Sequence, residues 1–370
     1  MVSASKKRVT NLMQEVLRQT MDLACEIVEK KGRRIVVMEV CGTHTTAFAR
    51  SGLTRYFARV LELRSGPGCP VCVTHQQDID YIVALASLEE VLMVTFGDMM
   101  RVPGSVSSLE QAKARGARVH LCYSPLEALS WAQRYPRKQV ILTGIGFETT
   151  APAIASTLLE AKKNHIDNFT IYTTLKLVPP ALRALLQKQS FNLDGLILPG
   201  HVCAVTGSKA FDFTAWQYGL PSVVTGFAEP DLLAGLFQLL TMIKQNEISV
   251  RNAYPSVVRE YGNRKAQEIV EQCFAVTDFL WRGFGIIPQS GYRLKGENSI
   301  FEARDRFKLE LPQAGELPGC RCGEIICGTS SPLQCSLFKD LCTPSKPVGP
   351  CMVSAEGACN AYFQHLAEAT

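Results

Sequence analysis

Several short stretches of this 370-residue chain set thiols beside groups that ionise or bind metal. Cys41-Gly42-Thr43-His44 places a soft thiolate and an imidazole three residues apart, a combination that suits iron, copper or zinc. The same two groups could act as nucleophile and base, or be a small buried cysteine beside a hydrogen-bonded histidine. Gly42 is expected to tighten this turn through a positive φ. Cys69-Pro70-Val71-Cys72 is a CxxC pair inside the constrained loop Gly-Pro-Gly-Cys-Pro. It precedes Thr74-His75-Gln76-Gln77, which reads as a capping box opening a helix. A thiol near a helix start has its thiolate favoured, so the pair could be a reversible dithiol. Two buried cysteines in a turn, or half of a zinc site, are the alternatives.

The chain has fourteen cysteines, and seven of them fall between Cys320 and Cys359. These are Cys320, Cys322, Cys327, Cys335, Cys342, Cys351 and Cys359. No CxxC occurs among them, which argues against a zinc ribbon, and the ferredoxin spacing is absent too. Four ligands spread over a loop could still hold an iron–sulfur cluster; a disulfide framework is the alternative. Gly144-Ile145-Gly146-Phe147-Glu148-Thr149-Thr150 lacks the third glycine of a dinucleotide fingerprint and the Gly-Lys of a P-loop. Glu148 could be an acid–base group or a carboxylate at a helix start. Asp98 and His201 carry the same ambiguity, because isolated polar residues are more often structural than catalytic.

Positioning these residues is the task of alternating strands and helices. Val-, Ile- and Leu-rich runs at 34–40, 91–96, 118–122, 139–143, 170–174, 195–198 and 222–225 read as strands of parallel sheets covered on both faces. Helical stretches fall between them, at 76–86, 125–133, 151–163, 179–188 and 230–245. This alternation predicts an α/β fold of two Rossmann-like parallel-sheet domains. The cysteine-rich C-terminal segment beyond them is the candidate iron–sulfur region. The expected division is 1–65 for an N-terminal helix and strand with the Cys41 loop, and 66–165 for the first α/β domain. A second α/β domain follows at 166–285, and the cysteine-rich region at 286–370. Two segments, from Thr143 and from Thr225, share a strand end, a Gly-rich turn, an acidic residue and a helix, a faint sign of related halves. Most of the unusual polar motifs follow a strand, and ligands bind at the carboxyl ends of strands in open α/β sheets. Five motifs are therefore expected to converge on one cleft.

Composition excludes other classes. Hydrophobic residues make up 46% and charged residues 20%, too balanced for a disordered chain or a coiled coil. Thirty-nine basic against 34 acidic residues leave +5, spread along the chain, which does not suggest a nucleic-acid surface. No apolar run reaches the ~18 residues of a membrane span, and the first twenty residues lack the apolar core of a secretory signal. A cytoplasmic chain is expected.

Taken in order, MEVCGTHT, GPGCPVCV, TFGDMMRVPG, GFETTAP, PGHV and the tail motifs RCGE, CSLF, CTP and MVSAEGAC form a specific set. By them the chain resembles the HypD family of nickel–iron hydrogenase maturation factors over essentially its whole length. The resemblance implies a scaffold that works with a small HypC-type chaperone, on which an iron ion receives two cyanides and one carbon monoxide. It further implies a HypE-type cyanide donor with HypF upstream, delivery to the hydrogenase large-subunit precursor through the HypC-type partner, and a [4Fe-4S] cluster. Cys41 would then face the assembling iron with His44 beside it, and Cys69 and Cys72 would be the redox-active pair. Cys322, Cys335, Cys342 and Cys359 match the family's C-x12-C-x6-C-x16-C pattern as cluster ligands. Asp98, Glu148, His201 and Glu356 lie in matching motifs and would line the cleft. Family members often carry a second histidine two residues after the first, where this chain has Thr46. The role implied is cofactor biosynthesis rather than free-standing catalysis. A stand-alone iron–sulfur thiol–disulfide oxidoreductase and a zinc-stabilised binding protein are the competing readings.

Overall fold

The computed structural model describes residues 2–188, 192–312 and 318–366. Its strands are β1 (Ile35–Glu39), β2 (Leu61–Ser65), β3 (Val91–Thr95), β4 (Arg118–Leu121), β5 (Gln139–Gly146) and β6 (Phe169–Leu175). They continue with β7 (Gly195–Pro199), β8 (Ser222–Thr225), β9 (Val250–Asn252), β10 (Phe274–Trp281) and β11 (Gly285–Leu294). Two parallel sheets result, ordered β2-β1-β7-β8-β9 and β4-β3-β5-β6. The mixed α/β architecture and the cysteine-rich tail agree with the expectation. The strands do not segregate along the chain, however. β1 and β2, from the first 65 residues, pair in one sheet with β7 to β9, while β6 joins the sheet of β3 to β5.

The periodicity explains the layering. In β1, Val36 and Met38 face one side and Ile35 and Val37 the other, as successive strand residues must. The Ile35–Val37 face packs under the helices Val2–Lys31 and Glu229–Gln245. The Met38 face meets Met93 and Ile141 of the second sheet in a core shared by both. The outer face of that second sheet, Leu92 and Val94, is covered by the helices Ala151–Lys163 and Glu127–Arg134. Each such side chain, fully buried, contributes about 1.5–3 kcal/mol relative to exposure.

The antiparallel hairpin β10–β11 is absent from the sequence reading. Its alternation is interrupted by a bulge between Thr277 and Phe279, and its faces mix buried with exposed residues. The stretch 290–308, polar and charged in sequence, continues β11 and then forms the short helical turns Gly296–Phe301 and Ala303–Phe307. No described helix is long and apolar enough to cross a membrane.

One carboxylate locks the N-terminal helix to the first sheet. Asp194 accepts the Val36 amide (2.8 Å), the Lys31 ammonium (2.8 Å) and both terminal nitrogens of Arg33 (2.7 and 2.9 Å). Burial alone would raise its carboxyl, but Arg33, Lys31 and the amide outweigh it and hold it below the ordinary range. Asp194→Ala would leave the Val36 amide unmet and should lower stability by about 2 kcal/mol in denaturant unfolding. A loss below ~0.5 kcal/mol would show that the cluster does not anchor the helix.

Candidate functional site

The carboxyl ends of both parallel sheets bring the polar motifs together. Cys41 follows β1, the Gly66–Cys72 loop follows β2, and Asp98 follows β3. Glu148 follows β5, His201 follows β7, and Gly226-Phe227 follows β8. The convergence inferred from strand ends therefore describes where these residues lie.

At its centre three backbone segments stack. Cys41 is 8% exposed and stands as N-cap of the helix Gly42–Arg50. The Gly42 amide donates to the Gly68 carbonyl (3.0 Å), and the Gly66 amide donates to the Glu39 carbonyl (2.8 Å). A Cβ on Gly68 would fall well under 3.0 Å from the Cys41 backbone, and one on Gly42 would strike the Glu356 carbonyl. Gly42 is thus required for close approach; it sits in a right-handed helix, so the positive φ expected for it does not occur. From the tail, Glu356 Oε1 accepts the Thr43 hydroxyl (2.8 Å) and the Ala355 carbonyl accepts that of Thr46 (2.8 Å). The Ser354 hydroxyl donates to Asp98 Oδ2 (2.8 Å), which ties the β3 motif to the same segment. Burial, then the Glu356 charge, push the Cys41 thiol up to about 11. It is protonated at neutral pH, and a metal binding there would displace that proton.

Cys69 and Cys72 form a disulfide. Cys69 caps the short helix Pro70–Val73, its sulfur accepting the Cys72 amide (3.2 Å). The next helix, Gln76–Ala86, is capped by His75 rather than Thr74. The Thr74 hydroxyl instead donates to the Pro70 carbonyl, so the expected capping box does not form.

His44 is fully buried, and its Nε2 lies 3.0 Å from the Gly226 carbonyl. A carbonyl can only accept, so Nε2 carries the hydrogen and Nδ1 holds the lone pair. That Nδ1 has no hydrogen-bond partner among the described residues. Burial pulls the ring down to about 4, so it is neutral. Phe227 stacks between His44 (4.5 Å) and His201 (3.9 Å), which sits at the exposed rim. Glu148 is not a helix-start carboxylate: its Oε1 accepts the Val178 amide (2.9 Å) while Oε2 is unpaired. Burial pushes its carboxyl up to about 8. Cys203, buried on the helix Gly200–Thr206, lies within electrostatic reach of both Glu148 and Cys41.

In the tail, the four expected ligands Cys322, Cys335, Cys342 and Cys359 all line one small pocket. Cys320 and Cys351 line it too, with Ile325, Leu337, Phe338 and Met352. Cys327 turns away, its thiol reaching the Gly283 carbonyl (3.5 Å). A hydrogen bond between Cys320 and Cys322 pushes Cys320 up and Cys322 down, and Arg282 adds to the lowering of Cys322. Among the described residues no three His, Cys, Asp or Glu side chains close on a single-ion site. A four-iron cluster places its cysteines around a cube rather than on one ion, and soft thiolates in an apolar pocket suit it. The donor set therefore fits such a group. The pocket shares its core with Cys69, Cys72, Trp281 and Phe284.

Sequence reasoning missed Phe227, Ser354, Cys203 and Arg282. Ser354 lies inside the tail motif MVSAEGAC and Phe227 inside the segment from Thr225, but their partners are distant in the chain. Arg282 gave no local signal.

The profile of a family described as "Hydrogenase formation hypA family", HypD, matches residues 15–366. A "Hydrogenase maturation factor HypD" from Rhodobacter capsulatus is 39% identical over 367 residues, covering 98% of this chain and 97% of the relative. Its namesake from Escherichia coli (strain K12) is 40% identical over 359 residues, with coverages of 97% and 96%. A "Hydrogenase expression/formation protein HupD" from Azotobacter chroococcum is 40% identical over 340 residues, with 90% of each chain covered.

Two substitutions check this geometry. Gly68→Ala forces a methyl onto the Cys41 backbone and should cost about 1–3 kcal/mol. It should also speed alkylation of Cys41, followed by peptide mass mapping; an unchanged rate would mean that the loops are not locked together. Glu148 has a folded value of about 8 against an ordinary 4.5. Between those pH values the folded chain holds a proton that the unfolded chain has lost, so stability should fall as pH rises through that window. Glu148→Gln should remove this part of the slope in unfolding curves collected from pH 4.5 to 8.

Proposed function

The chain belongs to the HypD family, and on that premise we propose that it is a hydrogenase maturation factor whose cleft assembles the iron group of a nickel–iron hydrogenase. In this reading the substrate is an iron ion that receives two cyanides and one carbon monoxide while held at Cys41. A HypC-type chaperone shares the iron, a HypE-type protein supplies cyanide made with HypF, and the product passes to the large-subunit precursor through the HypC-type partner. The chain is a cytoplasmic scaffold in cofactor biosynthesis. The observation that carries the reading is the position of Cys41. The disulfide loop presses on it from one side, and Glu356 of the cysteine-rich tail closes from the other.

The roles follow from the chemistry of each side chain. Cys41 offers a soft sulfur to iron bearing strong-field ligands. The lone pair on His44 Nδ1 stands in a neutral ring that resists protonation, so it can accept a hydrogen bond within the site. Phe227 fixes the ring plane. Asp98 and Glu356, coupled through Ser354 and Thr43, hold the tail against the cleft. Glu148, with its unpaired Oε2, is the internal proton store, and His201 guards the entrance. Cys322, Cys335, Cys342 and Cys359 would hold a [4Fe-4S] cluster, which when bound supplies single electrons. Cys69 and Cys72, sharing a core with that pocket, would carry reducing equivalents toward the iron site.

The test is an infrared spectrum of the chain purified without oxygen, together with its small partner, from a host that makes the whole maturation set. Metal-bound cyanide and carbon monoxide absorb where protein is nearly silent. Bands for both ligands are expected, lost in Cys41→Ala. Their absence from a preparation that keeps its cluster would favour a stand-alone thiol–disulfide oxidoreductase. Cys69→Ala is expected to abolish hydrogenase maturation, and full maturation by that variant would remove the dithiol from the pathway.

A further inference from the structure

The tip of the β10–β11 hairpin is wedged between the two cysteine centres. Thr74 pairs with Trp281, and the Arg282 amide donates to the Val73 carbonyl (2.9 Å), directly after Cys72. The Arg282 side chain continues the grip: Nε donates to the Thr74 carbonyl (3.1 Å) and Nη2 to Gln76 Oε1 (3.2 Å). On the opposite side Gly283, at φ +77°, lies so close to Gly323 that a Cβ would strike its backbone, one residue from Cys322. Arg282 is 4% exposed, yet it forms no ion pair with a carboxylate of any described residue. A guanidinium is always charged, and a buried charge without a counter-charge is costly. Thiolate is the negative charge the structure brings to it: on one side Arg282 adds to the lowering of the Cys322 thiol, and on the other its fork grips the chain just beyond Cys72.

We propose that Arg282 is a positioning residue that fixes the Cys69–Cys72 helix against the cysteine pocket and supplies a permanent positive charge favouring the reduced pair. The inference rests on the reading of Cys69 and Cys72 as a redox pair. The disulfide is neutral. Its reduction breaks the S–S bond, takes up two electrons, and leaves each sulfur as a protonated thiol or a thiolate. A fixed cation seated on the Thr74 carbonyl, two residues beyond Cys72, stabilises the thiolate form and so draws the equilibrium toward reduction. Charge and fork have separable effects: the fork holds the helix end, and the charge sets the equilibrium.

The experiment equilibrates the full chain, without oxygen, in mixtures of reduced and oxidised dithiothreitol, which gives up two electrons and two protons as it closes to its cyclic disulfide. The state of Cys69 and Cys72 is read by alkylation and peptide mass mapping. Arg282→Gln is expected to lower the constant for reduction roughly three- to tenfold, tenfold being about 30 mV for a two-electron couple. Arg282→Lys, which keeps the charge and loses the fork, should stay within about twofold of the native chain. Arg282→Met replaces the Gln variant should that one not fold. A folded neutral variant with the native constant, or a Lys variant shifted as far as Gln, would overturn the assignment. The readout is independent of maturation. A shifted constant in a strain whose maturation survives Cys69→Ala would uphold Arg282 while removing the pair from the pathway.

Discussion

The site depends on backbone meeting backbone at Cys41. Two glycines make this possible. Gly68 lies on the Cys41 backbone and Gly42 lies under the Glu356 carbonyl. No side chain, however small, fits at either contact, so the three segments approach as bare peptide groups and lock through amide hydrogen bonds such as Gly42 to Gly68. The Cys41 thiol therefore stands at a fixed point between the disulfide loop and the cysteine-rich tail, and its surroundings owe little to flexible side chains. Fixed orientation of this kind is what the role proposed for Cys41 would require, because a small displacement alters every angle around a bound ion.

Around that point the protein buries polar atoms that it does not fully satisfy. Glu39 Oε2, His44 Nδ1, Glu148 Oε2 and Lys176 Nζ are buried without a hydrogen bond among the described residues. Each costs free energy in an ordinary core. Burial correspondingly raises the two carboxyls, to about 7 for Glu39 and about 8 for Glu148, and lowers Lys176 to about 8. These groups change charge near neutrality, unlike their exposed counterparts. Lys176 rests its ammonium over Phe279 (4.9 Å) and Trp281 (5.8 Å), beside the hairpin that carries Arg282.

Much of this was legible in the chain. The parallel strands announced themselves as apolar runs because both faces of each sheet are covered, and the motifs at their ends marked the cleft. Cys41, His44, Cys69 and Glu148 were visible as residue types in constrained local settings. What local reading could not supply was partnership across distance. β1 and β2 are separated from β7 by more than a hundred residues, so the division of strands between sheets has no local signature. β10 and β11 carry a broken alternation. The contacts of Phe227 with His44, of Ser354 with Asp98 and of Arg282 with Thr74 each span the fold. Gly42 taught a related lesson: glycine served proximity there, where the local pattern suggested a turn.

The closure of the tail on the first motif has a consequence for how the protein is made. The first sheet lacks its centre until β7 emerges from the ribosome, and Cys41 lacks its second wall until residues 354–356 are synthesised. A nascent or prematurely terminated chain thus exposes a naked thiol but no finished cradle. The Cys41 cradle therefore closes only once residues 354–356 have folded back onto the first motif, so its assembly is coupled to that of the tail.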